Sequence, residues 1–386
     1  MKKNIFVIGS QGYNKNYGGW ETFVKNFANI YDKKKANIYV SEISFDKEVK
    51  EYKKNNINCL PVFTKKMGSA TMMLYSIKSL YYVKKYIKKN NINNAIIYIL
   101  GLKLGPFLHF EKKYFTKHGI KIYVNPDGLE WKRSKWSKPI KKYFLYAERT
   151  MLKHCDGIVC DSMGIKTYLE EAYPNNKVDK TFIAYGTKKI NLDDVNEKDI
   201  LKEYDLKKNN YCLVVGRCVP ENNFELMIKE FMKSKIDKEL VIISNIEGCP
   251  YYDELKEITN CDKDKRIRIL KGIYDEIKLS TIRKNAFLYL HGHSVGGTNP
   301  SLLEALSLTN LNVLYDVNFN HQVGLDSCLY FNDKNNNLKK LLDDEEHLKS
   351  IQKKYGTLAK QRIEEEYTWK HIMDKYEKLF GDDKNV

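Results

Sequence analysis

The sixteen residues His291-Gly-His-Ser-Val-Gly-Gly-Thr-Asn-Pro-Ser-Leu-Leu-Glu-Ala-Leu306 decide how this chain is read. An apolar run, Ala286-Phe-Leu-Tyr-Leu290, precedes them and reads as a buried strand. A glycine-rich turn follows, and Thr298/Asn299 as cap with Pro300 at the first helical position open a helix. A strand, a glycine turn and a new helix N-terminus leave backbone N–H groups pointing outward. The helix dipole adds partial positive charge there, so the turn suits a phosphate. Glu304 lies about one turn inside the helix, where it would accept a hydrogen bond from a sugar hydroxyl beside that phosphate. The same pattern also fits a plain strand–helix connection in any α/β protein, so its weight depends on the rest of the chain.

Upstream, the pattern occurs again. Tyr211–Val215 reads as a strand, Gly216-Arg217-Cys-Val-Pro-Glu-Asn-Asn223 as a turn, and Phe224–Lys233 as a helix. Strands at Leu240–Ser244 and Ile267–Leu270, a helix from Tyr274, strands at Leu311–Tyr315 and Leu329–Phe331, and charged helices over 336–380 complete this half. The first half opens with a strand at Lys3–Gly9 and the turn Gly9-Ser-Gln-Gly12, which is not the G-x-G-x-x-G dinucleotide fingerprint. Tyr17-Gly-Gly-Trp-Glu-Thr-Phe-Val24 then begins a helix, with Gly18 and Gly19 permitting close backbone approach by a ligand. Strands follow at Ala36–Val40, Ile57–Phe63, Ala95–Leu100, Ile120–Asn125, Gly157–Cys160 and Thr181–Ala184. Helices are expected over Lys141–Lys153 and, capped by Asp161-Ser162, over Gly164–Ala172. Residues 186–210 lose periodicity and read as a linker. Strands alternating with helices in both halves imply two parallel-sheet domains, 1–190 and 191–365, followed by a C-terminal helix over 366–386.

Two stretches of the first half stand out. Ligands of open α/β sheets bind beyond the carboxyl ends of the strands. The loop after Asn125 carries Asp127, Glu130, Trp131, Lys132, Arg133 and Trp136, a set suited to holding a sugar. It reads equally as a solvated loop with tryptophans tucked beneath it. Met72–Lys89 has one broad apolar face, with Lys78, Lys84, Lys85, Lys88 and Lys89 around the rest and tyrosines interleaved. That pattern describes a helix lying at a membrane interface, and also an ordinary helix packed on a sheet.

Charge separates the halves. Residues 1–190 hold 36 lysines and arginines against 15 acids, whereas the remainder holds 30 against 34, within a net charge of +17. The first domain is therefore expected to face something anionic, either a membrane surface or nucleic acid. No apolar run approaches the roughly 20 residues needed to span a bilayer. The eight scattered cysteines, without Cys-x-x-Cys, argue for reduced thiols and a cytoplasmic setting.

Four blocks, Tyr17–Phe23, Asp127–Trp136, Gly216–Asn223 and Gly292–Leu306, make the chain resemble retaining glycosyltransferases of family four, in particular the capsule and O-antigen rhamnosyltransferase subgroup. Asp156-Gly-Ile-Val-Cys-Asp-Ser162 and Tyr367-Thr-Trp369 match in the same way. The resemblance implies an α/β GT-B fold, two Rossmann-like parallel-sheet domains facing a central cleft, with the last helix packing back on the first domain. It implies a nucleotide-sugar donor, dTDP-L-rhamnose, and a lipid-linked saccharide acceptor, for a protein peripheral on the inner face of the cell membrane. The catalytic set becomes Arg217, Asp127 and Glu304. Donor contacts fall on Gly18, Gly19, Arg217, Asn222, His293, Gly296, Gly297, Thr298, Asn299 and Glu304, and acceptor contacts on Glu21, Asp127, Glu130, Trp131, Lys132 and Arg133. Arg217 would neutralise the departing diphosphate, Glu304 would bind the ribose and Asp127 would orient the sugar. The wider family carries a glutamate where this chain has Gly296 and a lysine where it has Asn222, departures typical of the subgroup.

No cofactor and no metal are expected. Asp262-Lys-Asp264 imitates an Asp-x-Asp metal motif but sits in a Lys/Asp-rich stretch and reads as a solvated turn. His291 and His293 alternate at a strand end, where either would reach a phosphate or a sugar or serve as a structural histidine. The competing readings are a transferase for another donor, a UDP-hexose, a nucleotide-sugar epimerase on the same fold, and a non-enzymatic basic nucleic-acid binder, for which no recognisable motif is present.

Overall fold

The computed structural model describes residues 2–381 apart from 16–18, 127, 133–135 and 296. Gly18, Asp127, Arg133 and Gly296, all expected at the site, lie outside the described residues. The chain divides into two compact units, Met1–Tyr185 with Trp369–Val386, and Gly186–Thr368.

The first unit runs β1 (Lys3–Ile8), α1 (Gly19–Ile30), β2 (Ala36–Ser44), β3 (Tyr52–Lys54), β4 (Ile57–Phe63), α2 (Thr71–Lys89), β5 (Ala95–Leu100), α3 (Gly105–Lys117), β6 (Lys121–Asn125), α4 (Lys138–His154), β7 (Gly157–Cys160), α5 (Met163–Ala172) and β8 (Lys180–Phe182). Its eight strands lie in the order β3-β4-β2-β1-β5-β6-β7-β8. All pairs are parallel except β3 with β4. A parallel sheet is covered on both faces, which is why its strands are continuous apolar runs. On one face Phe6, Ile97, Ile99 and Val124 pack with Leu80, Val83, Ile87, Phe115 and Met151. On the other, Phe23 and Phe27 of α1 meet Tyr98 and the aromatic rings of the chain's last helix, with the Tyr98 and Tyr376 hydroxyls 2.8 Å apart.

The second unit runs α6 (Glu197–Glu203), β9 (Tyr211–Val215), α7 (Phe224–Lys233), β10 (Glu239–Ser244), α8 (Pro250–Thr259), β11 (Ile267–Lys271), α9 (Glu276–Asn285), β12 (Leu288–His291), α10 (Pro300–Leu308), β13 (Asn312–Tyr315), α11 (Asn318–Gly324), β14 (Leu329–Phe331), α12 (Asn337–Asp343) and α13 (Glu345–Glu366); α14 (Trp369–Gly381) belongs to the first unit. Six parallel strands lie in the order β11-β10-β9-β12-β13-β14.

Several expectations change. The stretch 186–210 is not simply a linker: α6 lies within it and buries Leu201, with Leu206 just beyond, against Tyr211 and Tyr289. A seven-residue helix with one buried leucine is too short to display a period. β3 is also too short to be read, and Asn55 and Asn56, both at positive φ, turn it onto β4. The apolar stripe of α2 faces the sheet, with Leu80, Val83 and Ile87 buried. Burying each such side chain contributes about 1.5–3 kcal/mol, so this face is committed to the core. Lys85, Lys88 and Lys89 remain exposed. Among the described residues no helix is long and apolar enough to cross a membrane.

Candidate functional site

Two glycine-bearing turns lie side by side at the carboxyl ends of β9 and β12, the position at which open α/β sheets take ligands. Asn223, in the left-handed conformation, donates from its amide to the Gly292 carbonyl at 2.7 Å. Ser294 donates from both its backbone N–H and its hydroxyl to the Glu221 carbonyl, each at 2.9 Å. Asn222 donates to the Arg217 carbonyl at 2.7 Å, and its Oδ1 lies 2.8 Å from His293 Nδ1. With the amide nitrogen used toward Arg217, that oxygen is the acceptor, so His293 carries a hydrogen on Nδ1. Gly292 is required by this closeness, since a Cβ there would stand 2.2 Å from the Asn222 carbonyl oxygen.

The turns enclose a cavity of about 170 Å³ lined by Arg217, Asn222, His291, His293, Asn299 and Ser301. Arg217 brings an exposed cation. His291 closes β12 and is only 4% exposed, and its Nε2 has no hydrogen-bond partner among the described residues. Burial, reinforced by His293 and Arg283, holds its pKa well below the usual histidine value. The cavity is thus bordered by a neutral imidazole and a guanidinium.

The helix N-terminus differs from the expectation. Asn299 caps α10, its side chain accepting from Ser301 N at 2.9 Å, while Leu302 N and Leu303 N both bond the Asn299 carbonyl. Pro300 has no N–H. The first-turn amides are therefore satisfied inside the helix, and what α10 offers an anion is its dipole. Gly297 and Thr298, the expected backbone contacts to the diphosphate, precede that helix, and Thr298 is buried.

Glu304 has a partner that spacing did not reveal. Arg283, in the last turn of α9 and 3% exposed, places Nη1 2.6 Å from Glu304 Oε2. Its Nη2 donates to Ser301 Oγ at 3.0 Å. Ser301 Oγ also lies 3.1 Å from the Tyr289 hydroxyl, which donates to the Val215 carbonyl. No sequence signal singled out Arg283, because an arginine near a helix C-terminus is usually a solvated, dipole-favoured charge.

In the first unit, Glu21 is buried and its Oε1 accepts from Gln11 N at 2.9 Å, tying α1 to the turn after β1. One oxygen of this expected acceptor contact is thereby committed to the fold. Gly19 opens α1, and a Cβ there would meet nothing within 4 Å. Glu130, Trp131 and Lys132 form one 3-10 turn after β6. Trp136 donates to Glu130 Oε1 at 2.8 Å, Trp131 lies against Tyr168, and the Lys132 ammonium sits 5.4 Å from the Trp131 ring centre.

Along the outer side of α2 runs a groove of about 730 Å³, bounded by residues 46–51 and lined by Lys47, Lys50, Lys78, Lys85 and Lys89 over Phe63, Tyr81 and Tyr82. Lys47 and Lys78 hold their ammonium groups 5.2 and 5.4 Å from the Phe63 ring centre. Among the described residues these five lysines have no ion-pair partner, whereas Lys84 on the same helix is paired with Glu111. The Asp-x-Asp pair is occupied by the chain's own cations: Asp262 pairs with Lys256 at 2.9 Å and Asp264 with Arg266 at 2.7 Å. Asp264 is mostly buried in that clamp, so only Asp262 is the solvated acid the sequence implied.

Residues 2–188 match a family described as a domain of unknown function (DUF1972). Along nearly its whole length the chain is 24% identical to an uncharacterized glycosyltransferase of Methanocaldococcus jannaschii, covering 98% of this chain and 99% of that protein. Its structure is similar to sucrose-phosphate synthase from Thermosynechococcus elongatus, with a TM-score of 0.77, 14% identity and 98% of each chain covered. It is similar also to Anabaena HepE in complex with UDP, with a TM-score of 0.71, 13% identity, and 98% of this chain and 99% of that chain covered. Two Rossmann-like parallel-sheet units of this kind are the GT-B fold.

Proposed function

We propose that this chain, built on the GT-B fold, is a glycosyltransferase that moves a sugar from a nucleoside-diphosphate donor held by the second unit. The observation that carries the reading is the convergence of Arg217, Asn222, His293 and Asn299 on one cavity at the carboxyl ends of β9 and β12. Breaking a sugar–phosphate bond builds charge on the departing diphosphate, and a preorganised cation with N–H dipoles stabilises that charge. Arg217, the α10 dipole and the turn at Gly297–Thr298 supply these groups. The departing phosphate takes the acceptor's proton on the face it leaves, so the sugar is transferred with retention and without a divalent metal. The UDP held by Anabaena HepE supports a nucleoside diphosphate as the leaving group.

The finer reading is transfer of L-rhamnose from dTDP-L-rhamnose to an undecaprenyl-diphosphate-linked saccharide in bacterial surface-polysaccharide synthesis. It is supported by the blocks Tyr17–Phe23 and Gly292–Leu306 and by the glycine and asparagine at positions 296 and 222. The acceptor is assigned to the first unit, around Glu130–Lys132 and, outside the described residues, Asp127 and Arg133. The unpaired lysines along α2 support peripheral contact with anionic lipid on the cytoplasmic face.

A panel of nucleotide sugars read by thermal shift tests the donor, because a bound donor stabilises the fold by mass action. Transfer to a lipid-linked saccharide in the presence of chelator then tests the reaction. Donor turnover with no acceptor present would point instead to an epimerase, and loss of transfer that Mg²⁺ restores would overturn the metal-free mechanism.

A further inference from the structure

Arg283 is a buried cation in a unit whose other arginines, Arg217, Arg266, Arg268 and Arg362, reach solvent to some extent. A guanidinium does not lose its proton in a protein, and a buried charge needs a counter-charge and filled hydrogen bonds. Arg283 has one carboxylate beside it, Glu304 at 2.6 Å, and one hydroxyl, Ser301 Oγ at 3.0 Å. Its Nε has no partner among the described residues. The two contacts use both arms of the fork, which sets the guanidinium plane by two points.

The pair is lopsided. Arg283 is almost completely buried, whereas the Glu304 side chain is 42% exposed. A carboxylate has about four lone-pair sites. Oε2 faces inward to the guanidinium, and Oε1 is left for solvent or a ligand. Glutamate has three side-chain torsions, so an unpaired, half-exposed glutamate on a helix would sample several rotamers and lose that freedom on binding. The inward ion pair removes this cost before any ligand arrives.

We propose that Arg283 is a positioning residue for nucleotide binding: it holds Glu304 in one rotamer with Oε1 presented to the hydroxyls of the nucleotide's sugar, two in a ribonucleotide and the 3′-hydroxyl alone in dTDP. Ser301, which borders the cavity and bonds Arg283, Tyr289 and Val215, holds the second arm of the guanidinium and so fixes the direction from which it meets Glu304. This rests on the donor reading above and adds to it a residue that no spacing or resemblance pointed to.

The test compares a nucleoside diphosphate with its 2′,3′-dideoxy counterpart by calorimetry, using whichever of UDP, dTDP, GDP and ADP stabilises the wild-type chain. The wild type is expected to bind the hydroxylated nucleotide about tenfold or more tightly than the dideoxy form, the scale of a hydrogen bond to a charged group. Arg283→Met removes the buried charge and leaves a half-exposed glutamate that water can solvate, so it is the variant chosen to fold. Arg283→Lys keeps the charge and loses the fork. In both, affinity for the hydroxylated nucleotide falls toward that of the dideoxy form, while dideoxy affinity is unchanged. If both nucleotides weaken by the same factor in both variants, Arg283 supports the fold only and the proposal is overturned. If neither variant changes either affinity, it is overturned as well. If no nucleoside diphosphate binds the wild type, the donor reading itself falls and takes this inference with it.

Discussion

Asn222 Oδ1 accepts a hydrogen bond from His293 Nδ1 at 2.8 Å, joining two turns that are 71 residues apart in the chain. The same side chain donates to the Arg217 carbonyl, so one amide fixes both the loop bearing the cation and the loop bearing the imidazole. Asn222→Ala deletes both bonds at a largely buried position, and the expected cost is about 1–3 kcal/mol in urea unfolding. Nucleotide affinity should fall with it. An unfolding midpoint equal to that of the wild type would show that the turns hold together without this amide.

The Arg283–Glu304 pair makes Glu304→Gln more than a test of a ligand contact. Removing the carboxylate leaves a buried guanidinium without its counter-charge, at an expected cost of about 2–4 kcal/mol. The double variant Arg283→Met/Glu304→Gln removes both charges and should recover most of that loss. Equal stability of the single and double variants would mean that the ion pair carries no structural weight.

Arg217 is exposed at the mouth of the same cavity, so its substitution should leave the fold intact. Arg217→Lys keeps the charge and loses the planar fork that grips two phosphate oxygens. Because the diphosphate gains charge only as it leaves, kcat should fall about tenfold or more while donor affinity changes by less than about threefold. A loss of affinity with unchanged kcat would place Arg217 in ground-state binding alone.

His291 gives the fold an acid-sensitive element. Burial favours its neutral form, so the folded pKa lies well below the ordinary value of 6.5. Its contribution to stability is therefore complete above that value and is lost as the pH falls below it toward the folded pKa. One proton taken up on unfolding corresponds to a slope of about 1.4 kcal/mol per pH unit. His291→Gln should flatten the stability profile below pH 6.5 by up to that slope. An identical profile in the variant would assign the acid sensitivity to other groups.

The lysine groove along α2 predicts salt-sensitive binding to vesicles containing anionic lipid. Each of Lys47, Lys50, Lys78, Lys85 and Lys89 should contribute on the order of 1 kcal/mol at low salt. Changing all five to Gln should release the protein from anionic vesicles and leave nucleotide binding in the second unit unchanged. Retained vesicle binding in the five-fold variant would move the membrane contact elsewhere on the first unit.

The sequence by itself determined the alternation of strand and helix, the parallel order that follows from it, and the start of α10 at Pro300. These are local properties: apolar runs that must be buried on both faces, and a cap-and-proline pair that can only begin a helix. It also brought forward residues that the fold gathers on one cavity, Arg217, Asn222, His293 and Asn299, because glycine turns at strand ends are visible one at a time. Only the tertiary structure decided what those residues bond to. Glu304 meets Arg283 across two helices, Glu21 turns back to a backbone amide ten residues away, and Asn299 takes up the amides that an anion was expected to use. The apolar stripe of α2 was equally suited to lipid and to a sheet, and the neighbouring strands claimed it. A pattern of residue types records which side chains need partners; which partner each one finds depends on distances between segments far apart in the chain, and those exist only after folding.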